Sequence, residues 1–445
     1  MRPYLDILRL VWPLALGMIN NAVMQFVDRA YLAHDSMASL EAVLPASMLS
    51  WIFLSFFQSV VGYAGVFVAQ YHGAGDEGKC VTSYRSAMAI ALMSGVLMLP
   101  LQPLGDWVLA LAANTPELVA RERAYYDIVI LGGFFVYGQM AAAAYFTGRG
   151  RTRLVFWVNL AGNLINIALD PLLIFGWCGL PALGIAGAAY ATVLSMAVQW
   201  VTLTFAVHRA IAGVRAPLFD RSLAWRILRF GVPAGGYSVL NILSFTIFVF
   251  VTGHVGDLAF AVSNACFTIN YLLFAPMEGF ALGAQTLVGQ AMGRGDAREA
   301  AVAMRRTLIL ALGFVAAFGA VALLLSRPIL MLFASPVAAT QAEFLALGFR
   351  LLMLMAAWMV FDAADVVLAG ALKGAGDTKF VFWWMFLCAF VLWLPMVFAV
   401  RRIDNSMPVL WATMIVYVVV TCIGSFWRWG RGHWREIDIT QRRQK

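Results

Sequence analysis

An all-α membrane protein is predicted, with twelve transmembrane helices in two parallel six-helix repeats that form two lobes around a central cavity. Three observations predict it. Hydrophobic residues make up 62% of the 445-residue chain and charged residues only 12%, too few charges to cover a water-soluble globule of that length. Apolar stretches of roughly 20 residues, each long enough to cross a hydrocarbon core as a helix, recur about twelve times. The chain also repeats itself: Gln70, Gly73, Gly75 and Asp76 return in register as Gln290, Gly293, Gly295 and Asp296, with Pro13 falling on Pro233, Asn21 on Asn241 and His34 on His254. After a small slip, Gly148, Gly150 and Thr152 return as Gly374, Gly376 and Thr378. In a membrane, two halves of one plan usually close around a substrate path.

The first span, 8–34, carries Asn21, Gln25 and Asp28 at i, i+4 and i+7, which is one face of a helix. It is too long for a cleaved signal and no small-residue cleavage site follows it, so it is expected to stay in the mature protein. The second, 42–70, contains Gln58 and runs into the Gly73 and Gly75 turn; the third and fourth, 84–112 and 122–147, rest on apolar length. The fifth, 154–176, places Asn159, Asn163, Asn166 and Asp170 at i, i+4, i+7 and i+11, a narrow polar stripe that cannot face lipid. The sixth, 183–208, offers Thr192, Ser195 and Gln199, and the seventh, 224–253, offers Tyr237, Asn241 and Ser244. The eighth, 259–291, carries Asn264, Thr268, Tyr271 and Glu278 on one face, with Glu278 at the repeat position of Gln58. The ninth, 303–325, is apolar; the tenth, 341–371, holds Asp362 and Asp365 one turn apart; 379–401 and 407–428 complete the set.

Of 31 Lys and Arg residues, 24 fall on the side that holds both termini, whereas the opposite loops hold Arg121, Arg123, Arg327, Arg401 and Arg402. The positive-inside rule then predicts a multi-pass protein of the inner (plasma) membrane with both termini cytoplasmic. Each half has an even number of spans, so the repeats enter from the same face and run parallel. The boundary falls in the basic segment containing Gly213 and Pro217, which divides the chain into an amino-terminal lobe, 1–212, a linker, 213–223, a carboxy-terminal lobe, 224–430, and a basic tail, 431–445.

Several function classes are disfavoured. The five cysteines are scattered without Cys-x-x-Cys spacing, and the five histidines lack His-Glu-x-x-His spacing, so no disulfide framework or zinc centre is expected. No phosphate-binding Gly-x-x-x-x-Gly-Lys-Ser/Thr motif occurs, and the turns at Gly73 and Gly293 follow helices rather than strands, which reads as tight cytoplasmic turns. The net charge of +8 serves membrane insertion, since no basic patch with interleaved aromatics points to nucleic acid. The pair Asp362 and Asp365 could bind magnesium in a membrane-embedded transferase, but a lone Asp-x-x-Asp in a span is weak support. No enzyme activity and no cofactor are expected.

Polar side chains inside spans have a plain alternative role as interhelical hydrogen bonds, worth about 0.6 kcal/mol each. That reading is favoured for Asn159, Gln199 and Asn264 taken singly. Carboxylates differ, because one near the bilayer centre costs about 2.5 to 3.5 kcal/mol on insertion scales and usually implies ion or proton handling. Asp28 is the strongest candidate. Asp170 stands before Pro171, where a helix-ending or turn role competes. Asp362 and Asp365 either pair with Arg350 or line a cavity, and Glu278 is open between substrate attraction and simple hydrogen bonding. Arg29 is read as a snorkelling or pairing residue directed away from Asp28.

Together these residues carry a resemblance to the multidrug and toxic compound extrusion, or MATE, transporters. It rests on Trp12-Pro13, Val27-Asp28-Arg29, Gln70 with Gly73 and Gly75, Gly148-Arg149-Gly150, Asn166 with Asp170-Pro171, Gly231 to Pro233, Gln290 with Gly293, and the run from Gly370 to Thr378. The order and doubled spacing of these pieces are more specific than any one of them. The resemblance implies two six-helix lobes that open alternately to the two sides of the membrane, exporting small amphiphilic organic cations against inward Na+ or H+. It implies a cation site, with Na+ or H+ as coupling ion, at Asp28, Asn166 and Asp170, with Thr192 in the place of a sixth-helix threonine. The further substrate-cavity candidates are Asn21, Gln25, Gln58, Asn163, Asn241, Tyr271, Glu278, Asp362 and Asp365. Asn241 stands where the NorM-type branch has a seventh-helix glutamate, so the carboxy-terminal site is altered. The expected partners are the lipid bilayer and the transported cation, not nucleic acid, and the expected state is monomeric. The alternative is a flippase for lipid-linked intermediates, which would need cations in the central cavity, whereas only Arg29 and Arg350 lie within spans.

Overall fold

The computed structural model describes residues 4–111, 115–334 and 338–441. Of the tail, Arg442, Arg443 and Lys445, with Arg2 at the other end, lie outside the described residues. Within those residues every long element is helical, and twelve helices are long and apolar enough to cross a membrane. We number them α1 (Tyr4–Asp35), α2 (Met37–Gly73), α3 (Glu77–Ala110), α4 (Pro116–Gly148), α5 (Thr152–Ile174), α6 (Ile185–Ala210), α7 (Arg221–Thr252), α8 (Asp257–Gly293), α9 (Ala297–Leu324), α10 (Thr340–Ala375), α11 (Thr378–Ile403) and α12 (Met407–Arg431).

The repeated glycine motifs turn out to be helix stops and starts. Gly75 and Gly295 both adopt left-handed backbone, with φ of 75° and 76°, a conformation open to glycine without steric cost. One residue later Asp76 caps α3 by accepting from the backbone N–H of Lys79 at 3.0 Å, and Asp296 caps α9 by accepting from Glu299 at 2.7 Å. Gly150 and Gly376 make the equivalent turns after α4 and α10, with φ of 76° and 102°, and the following N–H reaches back to Phe146 or Leu372. The duplicated residues thus encode duplicated punctuation, not phosphate cradles.

Three helices are interrupted inside their spans. In α2 the helix breaks at Tyr63 between Met37–Gly62 and Ala64–Gly73. In α3 a 3-10 turn, Leu99–Leu101, forms around Pro100. In α11 a π-helical stretch, Leu387–Trp393, precedes Pro395; a proline lacks an N–H and crowds the preceding turn, which a wider turn accommodates.

The chain divides into two compact units. One comprises Leu16–Val239, Gly289–Gly295 and Ile439–Lys445. Its centre is α4, which packs on α6, α2 and α3. The close approaches use glycine: a Cβ on Gly148 would strike the carbonyl of Gly65, and Gly73 and Gly293 each sit against the carbonyl of the other segment's glutamine, Gln290 and Gln70. Gln290 also donates from Nε2 to the carbonyl oxygen of Gly148 at 2.8 Å. Small residues at such crossings let transmembrane backbones meet.

The other unit comprises Met1–Ala15, Leu240–Val288 and Asp296–Asp438. Here α10 packs on α12 and α9, and Gly374 meets the carbonyl of Gln285, the repeat counterpart of the contact between Gly148 and Gly65. Its core is aromatic: Phe267 stacks on Trp411 at 4.6 Å between ring centres and Trp393 stacks on Tyr417 at 4.6 Å. The indole N–H groups of Trp411 and Trp393 are satisfied by Ser263 and Thr413.

Candidate functional site: a carboxylate pair on α1 and α5

The polar faces of α1 and α5 meet in the first unit. Asn163 donates from Nδ2 to Asn21 Oδ1 at 2.8 Å. One turn further along α5, Asn166 is completely buried. With its amide oriented to suit its neighbours, Asn166 donates to Asp28 Oδ1 at 2.9 Å and accepts from the backbone N–H of Thr192 at 3.2 Å. The hydroxyl of Thr192 is turned into its own helix, donating to the carbonyl of Ala188 at 3.0 Å. So α6 joins this cluster through its backbone.

One more turn along α5 lies Asp170, 0% exposed. The helix does not end at Pro171 but runs on to Ile174, so Asp170 is a helical residue and not a turn cap. Its carboxyl group lies within hydrogen-bonding reach of that of Asp28. Neither Asp170 oxygen has a hydrogen-bond donor among the described residues. A buried acceptor left without a donor is costly, and two facing carboxylates repel. Something positive between them would relieve both costs: a proton on one, or a small cation within reach of oxygens of Asp28, Asp170 and Asn166. All of these are hard oxygen ligands, which suit Na+. No cluster of three or more His, Cys, Asp or Glu side chains suited to a metal ion occurs among the described residues.

The surroundings close one side of the pair. Leu32, Ala42, Val43, Ile174, Ile185 and Ala188 form an apolar cluster, with Tyr31, Leu118, Tyr125 and Phe175 packed against it. Tyr125, from α4, lies within electrostatic reach of both Asp28 and Asp170. Sequence periodicity did not single it out, because it falls among the charged residues that open α4, Glu117, Arg121, Glu122, Arg123 and Asp127. Arg29 is exposed, yet it lies within electrostatic reach of Asp28 and Tyr125 rather than directed away from the pair.

The remaining candidates separate. Gln25 is exposed on α1 and Gln58 half-buried on α2. Asn159 accepts from Gln139 of α4 at 3.0 Å, an interhelical bond. In the second unit Asn241 is half-buried and Tyr271 is 50% exposed. That unit gathers its own charged group: Asp362 lies within electrostatic reach of Asp365 and Glu278. Asp365 accepts from Ser425 Oγ at 2.6 Å. The cation beside it is not Arg350, which is exposed, but Lys373, within electrostatic reach of both Asp365 and Glu278. Lys373 reads as a loop cation in sequence, yet α10 continues past it.

A sequence model of the MatE family matches residues 13–172 and again 233–399, one match to each repeat. The chain belongs to the MatE family. Among relatives, it is 27% identical over 418 residues to a probable multidrug resistance protein NorM of Thermotoga maritima, covering 91% of this chain and 88% of that one. It is also 27% identical over 397 residues to the multidrug resistance protein PmpM of Pseudomonas aeruginosa, covering 87% and 81%. Among solved structures, a crystal structure of a MATE in the straight conformation superposes with a TM-score of 0.87 at 19% identity, covering 98% and 97%. The MatE fold therefore extends over almost the entire chain.

Proposed function

We propose that this MatE protein is a secondary transporter that exports amphiphilic organic cations in exchange for Na+ or H+, with Asp28, Asn166 and Asp170 as the site of the coupling ion. The observation that carries the reading is the buried, donor-less carboxylate of Asp170 facing Asp28. The multidrug-resistance names of its relatives support the class of cargo. The excess of Lys and Arg on one side supports an inner-membrane orientation with both termini cytoplasmic, and the duplication supports working lobes at 1–212 and 224–430, each monomer being complete. Thr192 contributes to the site, and Asn21, Asn163, Gln25 and Gln58 line the amino-terminal lobe. Asn241, Tyr271, Glu278, Asp362 and Asp365 serve the carboxy-terminal one.

The mechanism follows from charge. With the site empty, the carboxylate pair is a negative centre that attracts a cationic cargo. An entering Na+ or proton cancels that charge, so the cargo loses its electrostatic hold and α1 can pack more closely on α5. Each elementary charge moving inward gains about 2.3 kcal/mol per 100 mV, enough to bias two states that differ by a few kcal/mol. The test is accumulation of a fluorescent cation in everted vesicles with Na+ and pH gradients imposed separately. A Na+-loaded or acidified lumen should drive uptake; if neither gradient does so, the proposal fails.

A further inference from the structure

One groove outside the carboxylate site has no part in the mechanism above. It lies between α3 and the segment that leads into α7, has a volume of about 510 Å3, and is lined by Ile90 and Met93 on one side and Phe219, Trp225 and Leu228 on the other, with Arg221 among them. The volume is within the range of small-ligand sites. Its walls open outward: Met93 is 47%, Phe219 54% and Trp225 66% exposed. Leu218, just before it, is 82% exposed. In a membrane-spanning chain such side chains at a helix end face lipid, and a tryptophan there marks the boundary between headgroups and acyl chains.

The groove is framed firmly. Arg85 of α3 donates to the carbonyl oxygens of Ala216 and Pro217 at 2.6 and 3.0 Å, pinning the linker across α3. Arg221 itself is exposed and has no hydrogen bond or ion pair among the described residues. The acidic groups on the adjoining elements are otherwise engaged. Asp220 accepts from the N–H of Leu223 at 3.1 Å, and Asp76 caps α3. Glu77 is held by Arg149 at 2.5 Å and His72 at 3.1 Å. A guanidinium without a paired carboxylate thus stands at the mouth of an apolar groove.

We propose that this groove is a docking site for an anionic phospholipid, its phosphate on Arg221 and an acyl chain against Ile90, Met93 and Leu228. Arginine presents a fork of donors suited to phosphate oxygens, and the apolar walls take the chain. An amphiphilic cation of the kind proposed as cargo is disfavoured by the same charge. With the orientation proposed above, the lipid belongs to the inner leaflet, but its binding depends neither on that orientation nor on transport.

Native mass spectrometry of the full chain in detergent, titrated with phosphatidylglycerol and with phosphatidylcholine, tests the proposal. Phosphatidylglycerol should bind in preference. Arg221→Ala should weaken it about fivefold, the effect of one juxtamembrane cation, while Arg402→Ala, an equal charge loss at an exposed residue that does not line the groove, should leave it unchanged. Met93→Glu, which sets a negative charge in the groove wall without touching Arg221, should weaken it as well, and inorganic phosphate should not displace it. Equal affinity for the two lipids, equal losses in Arg221→Ala and Arg402→Ala, or displacement by free phosphate would each overturn the assignment.

Discussion

The substitution Asp28→Asn isolates the charge of the α1 carboxylate from its shape. The carboxamide keeps an oxygen where Asn166 donates at 2.9 Å, so the contact between α1 and α5 survives and insertion is unchanged. What is lost is one unit of negative charge beside the space where an ion would sit. At about 4 Å and an effective dielectric constant of about 20, a carboxylate and a monovalent cation attract by about 4 kcal/mol, roughly a thousandfold in affinity. A loss of that size removes ion coupling at any attainable gradient. The variant should therefore be present in membranes at the parental level yet show no gradient-driven accumulation of a fluorescent cation in everted vesicles, and Asp28→Glu should retain part of it. Parental accumulation by Asp28→Asn would refute the reasoning.

Further outcomes are expected. Asp170→Asn replaces a buried carboxylate lacking any donor with an amide able to donate toward Asp28; its melting temperature should stay level or rise while transport is lost, and a clear fall would show that the carboxylate is bonded structurally. Gly73→Ala and Gly293→Ala should each destabilise the fold by about 1 to 3 kcal/mol, the usual scale for an overpacked contact, because the added carbon meets the carbonyl of Gln290 or Gln70; detergent thermal melts of both variants are the check, and an unchanged melt would show that the contact yields. Ser425→Ala removes the donor to Asp365 at 2.6 Å and should cost about 1.5 to 3 kcal/mol if that carboxyl is ionised, again read as a shift in melting temperature.

Much of the architecture was legible because membranes restrict the choices. Twelve apolar lengths and a doubled glycine pattern left few alternatives to two six-helix repeats. The stripe on α5 was legible for the same reason: Asn163, Asn166 and Asp170 recur at helical spacing, and such a face must turn inward. The partners of that stripe were less accessible. That Asn159 goes to Gln139 while Asn163 goes to Asn21 depends on how α4 and α1 approach α5, which no single-helix periodicity reports. Tyr125 was missed because it lies among the charged residues that open α4, Arg121, Glu122, Arg123 and Asp127, where one more polar side chain does not stand out. Lys373 was missed because the following Gly374 and Gly376 suggest a loop, whereas the helix continues until the left-handed turn at Gly376. The breaks in α2 and α11 were invisible as well, since a helix can bend near Tyr63 or widen ahead of Pro395 without any change of hydropathy.

The mutual seating of Gly73 on Gln290 and of Gly293 on Gln70 has a consequence for movement. Main chain meets main chain at this joint, and the Gln290 side chain locks it by its bond to the carbonyl oxygen of Gly148. Turning one helix against the other there would have to break that bond, so the pair acts as a clamp, and a single methyl group on either surface is enough to wedge it open.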